Sequence, residues 1–218
     1  MILAIYGSGN LGREIALLIK EINKNKMIYN ELVFVNDFKT VDEVDGIRVT
    51  TFDDIITKYK SEDVLFTIGI GEPIKRKEKH DLIKLNGYTL ATLVHPSLFL
   101  PDDTIIEEGV VINKNSHISL NTKIGKNTYI QPMSALGHDV VIGENCVIST
   151  HSTISGHCHI GNNSYIAINV PIREGISIGN NCIIGMGSVI TKDVPNDTIT
   201  AGPICRQVPR PKNKLVFK

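Results

Sequence analysis

The sequence has no excess of either charge, no long apolar run and few cysteines, and each absence excludes a class of protein. Lysine plus arginine and aspartate plus glutamate number 23 each among 218 residues, so no overall field draws the chain to nucleic acid or to a membrane surface. The longest apolar runs are far too short to span a bilayer. The segment after Met1 lacks the charged region and cleavage site of a signal peptide, and we therefore expect a cytoplasmic protein.

A six-residue repeat runs without interruption through the second half of the chain. An aliphatic residue recurs at every sixth position, and a small or β-branched residue follows each one four positions later. The aliphatic positions are Ile106, Ile112, Ile118, Ile124, Ile130, Leu136, Ile142, Ile148, Ile154, Ile160, Ile166, Ile172, Ile178, Ile184 and Ile190. A short fixed period of this kind is typical of a parallel β-helix built from hexapeptides. Three hexapeptides make one triangular coil, so these 15 repeats predict five coils in which residues 18 positions apart stack.

The four cysteines fit the same frame. Cys146, Cys158 and Cys182 occupy the small inward position of the hexapeptide, and Cys205 lies beyond the repeat. A free cysteine packs as a small hydrophobic residue, and disulfides are rare in cytosolic proteins. We expect reduced core cysteines and no disulfide framework.

The chain before the repeat has a different pattern. Strand-like runs at residues 3–6, 32–35, 64–68 and 88–93 alternate with helical patterns at 11–22, 53–60 and 73–85. This alternation predicts a small parallel α/β sheet, half of a Rossmann fold in size. The charged run at 75–81 is typical of a solvated helix face and is a weak candidate for phosphate contact. We therefore divide the chain into an α/β domain over residues 1–94 and an all-β helix with a C-terminal tail over residues 95–218.

The first turn of the α/β domain is rich in glycine. Residues 7–12 read Gly-Ser-Gly-Asn-Leu-Gly and stand between a predicted strand and a predicted helix. Such glycines let a phosphate approach the helix N-terminus, and Asp37 stands near the position of a ribose-binding acid. Because the domain has room for one half of a dinucleotide fold, the pattern favours a sugar nucleotide over NAD. The alternative is a glycine-rich turn that only packs the strand against the helix.

Six short motifs, taken in order, resemble a family of sugar acetyltransferases. They are GSGNLG at 7–12, VNDFK at 35–39, TIG at 67–69, VHPS at 94–97, GHD at 137–139 and GSVITKDVP at 187–195. The chain is similar over almost its whole length to the group of sialic-acid O-acetyltransferases and UDP-N-acetylbacillosamine N-acetyltransferases. The resemblance implies a left-handed β-helix, a homotrimer, and acetyl-CoA as cosubstrate. It also implies that the acceptor, a nucleotide-linked amino sugar or a sialic acid, meets acetyl-CoA between two protomers.

The resemblance assigns roles to particular residues. The family's pair of catalytic histidine and following acid falls on His138 and Asp139. The nucleotide-sugar contacts fall on Gly9, Asn10, Leu11, Asn36, Asp37 and Gly69, and the acetyl-CoA contacts fall on Val147, Ile168 and Met186. The chain departs from the family at Leu11 and Val147, where the family has histidines, and at Asp139, where glutamate is common. The family's AG-x-PA ending reads AGPIC at 201–205.

His138 stands where the repeat does not require a histidine, since Gly-His-Asp replaces the usual Gly-x-Asn turn. An acceptor amine or hydroxyl must lose a proton as it attacks a thioester, and a histidine with a pKa near neutrality suits that role. Asp139 would hold the imidazole in one tautomer. Consecutive strand residues point to opposite faces, so a direct bond between His138 and Asp139 requires the turn geometry of this corner.

Further candidates lie on the next coil and near the end of the chain. Gly156, one coil beyond His138, is a candidate backbone donor to the oxyanion. Lys192 and the basic tail, with Arg206, Arg210, Lys212, Lys214 and Lys218, are candidates for the phosphates of CoA. The alternative for the tail is a solvated end that covers the last coil. His151, His157 and His159 together with Cys146 and Cys158 suggest a metal site, but the frame directs the cysteines inward and places the histidines elsewhere. We therefore expect no metal.

The leading hypothesis is an acetyl-CoA-dependent N-acetyltransferase that acts on a nucleotide-linked 4-amino sugar, a precursor of a glycan or surface polysaccharide. O-acetylation of sialic acid is the second hypothesis, and no residue decides between the two. A non-catalytic sugar-nucleotide-binding scaffold is a third, against which the presence of His138 and Asp139 argues. An acyltransferase fed by an acyl carrier protein is a fourth, and the tail is the only basic docking patch that would serve it.

Overall fold

The computed structural model describes residues 1–203, 206–211 and 214–215, and it begins with an α/β domain. The elements of that domain are β1 (Ile2–Tyr6), α1 (Asn10–Asn25), β2 (Glu31–Asn36), β3 (Glu43–Val44), β4 (Ile47–Thr51), α2 (Phe52–Lys58), β5 (Val64–Ile68), α3 (Pro73–Leu85) and β6 (Thr89–Leu90). The strand order is β3-β4-β2-β1-β5-β6, and every pair is parallel except β3 with β4. No helix in the described residues is both long enough and apolar enough to cross a membrane.

A parallel β-helix follows and keeps the six-residue period. Its strands are β7 (Leu93–Val94), β8 (Ile105–Ile106), β9 (Val111–Ile112), β10 (His117–Ile118), β11 (Lys123–Ile124), β12 (Tyr129–Ile130), β13 (Ala135–Leu136), β14 (Val141–Ile142), β15 (Val147–Ile148), β16 (Thr153–Ile154), β17 (His159–Ile160), β18 (Tyr165–Ile166), β19 (Pro171–Ile172), β20 (Ser177–Ile178) and β21 (Ile183–Ile184). They stack into three sheets, one on each side of a triangular prism. The hairpin of β22 (Thr198–Ala201) and β23 (Arg206–Pro209) extends one of these sheets at its end.

The interior of the prism is filled by the repeated aliphatic side chains. From Ile112 to Ile190 each of them is at most 3% exposed, and burial of a side chain of this size stabilises the fold by roughly 1.5–3 kcal/mol. The pairing register confirms the predicted period, because Ile118 pairs with Leu136 and Leu136 pairs with Ile154. The cysteines of the repeat are buried and free, as predicted, and Cys205 lies outside the described residues.

At one corner of the prism, side chains that stack in successive coils, 18 residues apart except for a last step of 16, form a continuous chain of hydrogen bonds, which we call the asparagine ladder. Its members are Asn127, Asn145, Asn163, Asn181 and Asp197. Each Nδ2 donates to the Oδ1 of the next member, at distances of 2.9, 3.3, 3.2 and 3.0 Å. All five have a positive φ, a backbone conformation that asparagine and aspartate adopt more readily than other side chains. The ladder therefore explains why the repeat has an asparagine at this turn.

Arg76 of α3 joins the α/β domain to the ladder. Its guanidinium is completely buried and donates to the backbone oxygens of Asn127, Ile68 and Ile70 at 2.8, 2.7 and 2.9 Å. Burial lowers the pKa of Arg76 to about 10, so the side chain remains charged at neutral pH. The prediction of a solvated face for this charged run is therefore wrong at Arg76, whose partner Asn127 lies 51 residues away in the sequence.

The two domains also meet through an apolar layer. Val111, Tyr129 and Val147 on the outer face of one side of the prism belong to the same buried cluster as the apolar face of α1. Beside this layer, Nε2 of His95 lies 2.6 Å from Oε2 of Glu21. His95 therefore lies at the junction of the two domains, held by Glu21 of α1.

The chain passes from one domain to the other within one predicted strand. The strand predicted over residues 88–93 is two strands, of which β6 pairs with β5 in the α/β sheet and β7 pairs with β9 in the β-helix. The pairing of the β-helix thus begins at Leu93, and a domain boundary after residue 94 stays a prediction. The short β3–β4 hairpin was not predicted, because a two-residue strand such as β3 carries no recognisable alternation.

Candidate active site

His138 and Asp139 lie together in the turn between β13 and β14. Asp139 has a φ of 59°, and this left-handed conformation turns its side chain back toward the preceding residue. Nδ1 of His138 is 2.9 Å from Oδ2 of Asp139, so the direct bond that required turn geometry is present. An ionised carboxylate only accepts hydrogen bonds, which assigns the proton to Nδ1 and leaves Nε2 as an acceptor.

The Asp139 carboxylate is held from both sides. Asn121, one coil earlier, donates from Nδ2 to Oδ1 of Asp139 at 2.6 Å, while Oδ2 faces His138. Hydrogen bonds from His138 and Asn121 lower the pKa of Asp139 below its ordinary value. The carboxylate is therefore ionised at neutral pH and fixes the orientation of the imidazole.

Two residues of the next coil lie against the His138 ring. A Cβ on Gly156 would stand 2.6 Å from Cε1 and 2.7 Å from Nε2 of His138, so the ring occupies space that a side chain at 156 would fill. The backbone N–H of Gly156 donates to no described residue. The ring of His157 meets that of His138 edge to face at 4.8 Å between centroids, and its Nδ1 is 3.6 Å from Oδ2 of Asp139.

Asn121 was not predicted from the sequence, and His157 was considered only as a metal ligand beside cysteines. Both residues stack with Asp139 in one column, since residues 121, 139 and 157 are 18 positions apart. That spacing was the signal that would have found them. Cys146 and Cys158 are buried inside the prism, whereas His151 and His159 are exposed, so this set does not assemble a metal site.

The residues predicted to contact acetyl-CoA divide between two corners of the prism. Ile168 and Met186 are exposed, Met186 to 71%, and both lie at the corner that follows the sheet containing β18 and β21. Lys192 is exposed and stands in the column of His138 and Gly156, three coils beyond His138. In one protomer, therefore, Ile168 and Met186 lie at a different corner from His138.

Val147 and the tail differ from these exposed candidates. The Val147 side chain is completely buried against the α/β domain, so in this conformation it is closed to any ligand. Arg210 is also buried, and it donates to the backbone oxygen of Asn181 at 3.0 Å beside Glu72. This contact favours the alternative in which the tail covers the last coils. Lys212 and Lys218 lie outside the described residues.

The glycine-rich loop combines close packing with one open position. A Cβ on Gly12 would lie 1.9 Å from the backbone oxygen of Gly7, and one on Gly69 would lie 2.5 Å from Cα of Gly12. These glycines are therefore required for packing, as the alternative to a nucleotide site proposes. Gly9 has nothing within 4 Å of its Cβ position and precedes the first residue of α1, where free N–H groups favour an anion.

The other predicted nucleotide residues lie at the carboxyl end of β2. Asn36 accepts from the backbone N–H of Ser8 at 3.1 Å and donates to its hydroxyl at 2.9 Å, which ties β2 to the glycine-rich loop. Oδ1 of Asp37 accepts from the Tyr6 hydroxyl at 2.6 Å and from Lys79 at 2.5 Å. Burial alone would raise the pKa of Asp37, but these two hydrogen bonds lower it overall.

Leu11 and Asn10 flank this loop differently. Leu11 is half-buried and packs against the core cluster beneath α1, and its side chain has no polar group with which to bind a nucleotide. Asn10 is exposed and lines a cleft of about 430 Å³ with residues of α1 and Ile47. The structure thus brings Gly9, Asn36, Asp37 and Gly69 to one edge of the sheet, with Asn10 at its margin.

Comparisons with known proteins agree with both halves of the chain. Residues 2–83 match the PglD N-terminal domain family, and residues 121–156 and 157–192 match the bacterial transferase hexapeptide (six repeats) family. The chain is 31% identical over 123 residues to GDP-perosamine N-acetyltransferase of Escherichia coli O157:H7. That match covers 56% of this chain and 55% of the relative, so it spans about half of each protein.

Solved structures share the fold over nearly the whole chain. The acetyltransferase domain of PglB from Neisseria gonorrhoeae FA1090, in complex with acetyl coenzyme A, has a TM-score of 0.88 at 24% identity and covers 95% of this chain and 98% of that one. WeeI from Acinetobacter baumannii AYE has a TM-score of 0.83 at 25% identity, with coverage of 95% and 100%.

A third solved structure contains two bound ligands. PerB from Caulobacter crescentus, in complex with CoA and GDP-perosamine, has a TM-score of 0.83 at 20% identity, with coverage of 95% and 97%. The predicted fold class and the resemblance are confirmed. The chain consists of an α/β domain that matches the PglD N-terminal domain family, followed by a left-handed β-helix that matches the bacterial transferase hexapeptide family.

Proposed function

We propose that the protein is an acetyl-CoA-dependent N-acetyltransferase that acts on a nucleotide-linked 4-amino sugar, with His138 as the general base. The observation that carries the proposal is the 2.9 Å bond between Nδ1 of His138 and Oδ2 of Asp139. This bond leaves Nε2 as the only proton acceptor on the ring. A neutral histidine with one free ring nitrogen within reach of the acceptor is a common general base.

The proton balance of the reaction fits a single histidine. Nε2 of His138 takes a proton from the amine as its nitrogen forms a bond to the acetyl carbonyl carbon. The bond between that carbon and the CoA sulfur breaks, and His138 returns the proton to the departing sulfur. Asp139 stabilises the imidazolium that exists between these two transfers. The free backbone N–H of Gly156 would donate to the carbonyl oxygen as negative charge develops there.

The positions of the predicted acetyl-CoA contacts support a site between protomers. His138 and Lys192 belong to one corner of the prism, whereas Ile168 and Met186 belong to another. A ligand that touches both corners must lie between two prisms, and three prisms around one axis provide three such grooves. We therefore include a homotrimer in the proposal. A dilution series followed by sedimentation and by activity tests it, because a trimer that loses its grooves should lose turnover as it dissociates.

The residues at the carboxyl edge of the α/β sheet are the basis for the proposed acceptor. Gly9 leaves room for a phosphate at the start of α1, and Asp37 keeps Oδ2 for a ribose hydroxyl while Oδ1 is bound by Tyr6 and Lys79. Lys79 also offsets the negative charge of Asp37, which would otherwise repel a diphosphate. Because the Escherichia coli and Caulobacter crescentus relatives carry GDP-perosamine in their names or complexes, GDP is the first nucleotide to test.

The test is release of free thiol from acetyl-CoA with GDP-, UDP- and dTDP-linked 4-amino sugars and with free sialic acid. Thiol release with one nucleotide-linked amino sugar supports N-acetylation and identifies the base. Release with sialic acid alone would replace the proposal by O-acetylation. The control is His138→Asn, which should bind the nucleotide sugar but lose turnover by roughly 10²–10⁴-fold. Undiminished turnover in this variant would refute the role of His138.

A further inference from the structure

The His138–Asp139 pair has a third neighbour that the proposed reaction does not use. Nδ1 of His138, a carboxylate oxygen of Asp139 and Nδ1 of His157 can be ligand atoms, and the three residues present such atoms within 4.8 Å of one another. Two of the separations are 2.9 and 3.6 Å, both to Oδ2 of Asp139. A tetrahedral zinc ion with ligands at ~2.0 Å places its ligand atoms ~3.3 Å apart. Small side-chain rotations would therefore bring these atoms to the corners of a tetrahedron around a zinc ion.

The surroundings hold the three side chains ready. Asn121 binds the other oxygen of Asp139 at 2.6 Å, as outer-shell partners do for metal-binding carboxylates. The backbone N–H of His157 donates to the backbone oxygen of His138 at 2.9 Å, so the two turns keep a fixed spacing. The side chains of His138 and His157 are 50% and 55% exposed, which gives an ion a route in and leaves a fourth position for water.

The ligand types select the metal. Two imidazole nitrogens with one carboxylate oxygen suit Zn²⁺ and its neighbours in the transition series, whereas Mg²⁺ and Ca²⁺ prefer oxygen ligands alone. Among the described residues this is the one group of three or more histidine, cysteine or acidic side chains with ligand atoms so close together.

We propose that His138, Asp139 and His157 form a zinc site that turns acetyl transfer off. An ion on Nδ1 of His138 takes the position of its proton and removes Asp139 as its partner. With Asp139 bound to the ion, the carboxylate no longer orients the ring or stabilises the imidazolium that the proposed reaction forms. The inhibition rests on the proposed function, whereas the binding of the ion does not.

Binding is tested with metal-free full-length protein, with Co²⁺ as a visible probe of tetrahedral coordination and with Zn²⁺ in calorimetry. The expected result is one ion per chain, with a tetrahedral Co²⁺ spectrum that Zn²⁺ abolishes. His157→Gln should weaken Zn²⁺ binding at least about tenfold, since even outer-shell changes cost that much. His159→Gln is the matched control, because it removes an exposed histidine two residues away and should bind Zn²⁺ as the unmodified protein does. Equal affinities in the two variants, or no tetrahedral spectrum, would overturn the site.

Inhibition is tested by acetyl transfer with and without Zn²⁺, each variant being compared with its own metal-free rate. The unmodified protein and His159→Gln should lose turnover at Zn²⁺ concentrations that saturate the site, and His157→Gln should keep it. Turnover that persists with the site full of Zn²⁺ overturns the switch. A metal-free protein that acetylates none of the acceptors would instead refute the proposed function, and the spectrum would still decide the site.

Discussion

Gly156→Ala should abolish most of the activity while leaving the fold intact. The added Cβ would stand 2.6 Å from Cε1 of His138, whereas two carbon atoms in contact prefer about 3.5 Å or more. The imidazole must therefore move by about 1 Å. A displacement of this size at a reacting group costs roughly 10²-fold in rate, or about 2.7 kcal/mol in the barrier. Because the clash is with the end of a flexible side chain, the protein can relieve it by turning the ring.

The assay measures kcat/KM by thiol release and the Tm by calorimetry. Gly125→Ala is the contrasting variant, since its Cβ would stand 2.7 Å from a backbone carbon of Gly143, which cannot rotate away. This variant should have a lower Tm but an unchanged rate per folded molecule. Gly156→Ala should show the reverse. Full activity in Gly156→Ala at an unchanged Tm would show that the position of the His138 ring does not limit the reaction.

Three further predictions concern stability and reactivity. Arg76→Met should lower the free energy of unfolding by at least about 3 kcal/mol in urea titrations, because three buried carbonyl oxygens each lose a donor at about 1 kcal/mol or more; a loss below 1 kcal/mol would contradict this. The ionised Asp37 carboxylate stabilises the folded protein fully above the ordinary aspartate pKa of about 3.9, and this stability is lost as pH falls through the lowered pKa of the folded protein. Asp37→Asn should remove this part of the free energy of unfolding. A difference in unfolding free energy between the two proteins that does not change with pH would be contrary evidence. Burial raises the pKa of Cys146 to about 12, so iodoacetamide at pH 8 should label its peptide in urea but not in the native protein, as mass spectrometry would show.

The β-helix could be predicted because its strand register follows directly from the period of the sequence. With one side chain fixed at every sixth position, the stacking partner of any residue is found 18 positions away. The same periodicity made His138 visible as a departure from the usual turn. The same 18-residue spacing also predicts that Asp139 contacts Asn121 and His157, although it was not used to find them.

The contacts between the domains could not be predicted in this way. Arg76 stands in a run of charged residues that is typical of solvent, and nothing local distinguishes it from its neighbours. Its burial depends on a carbonyl oxygen of Asn127, 51 residues away. Val147 is similar, since the repeat predicts an outward side chain and only the docking of α1 covers it. Neither the periodicity nor the residue type encodes which face of a solenoid receives another domain.

The asparagine ladder also decides where this chain can change in length during evolution. The four coils that carry Asn127, Asn145, Asn163 and Asn181 each place an amide at the same point, so one inserted residue at that corner would break the row that binds Arg76. The turn column beside Ile168 and Met186 forms no such row and holds Asn, Met, His, Asn and Gly in successive coils. Loops can therefore be gained or lost at that corner while the row that binds Arg76 stays intact.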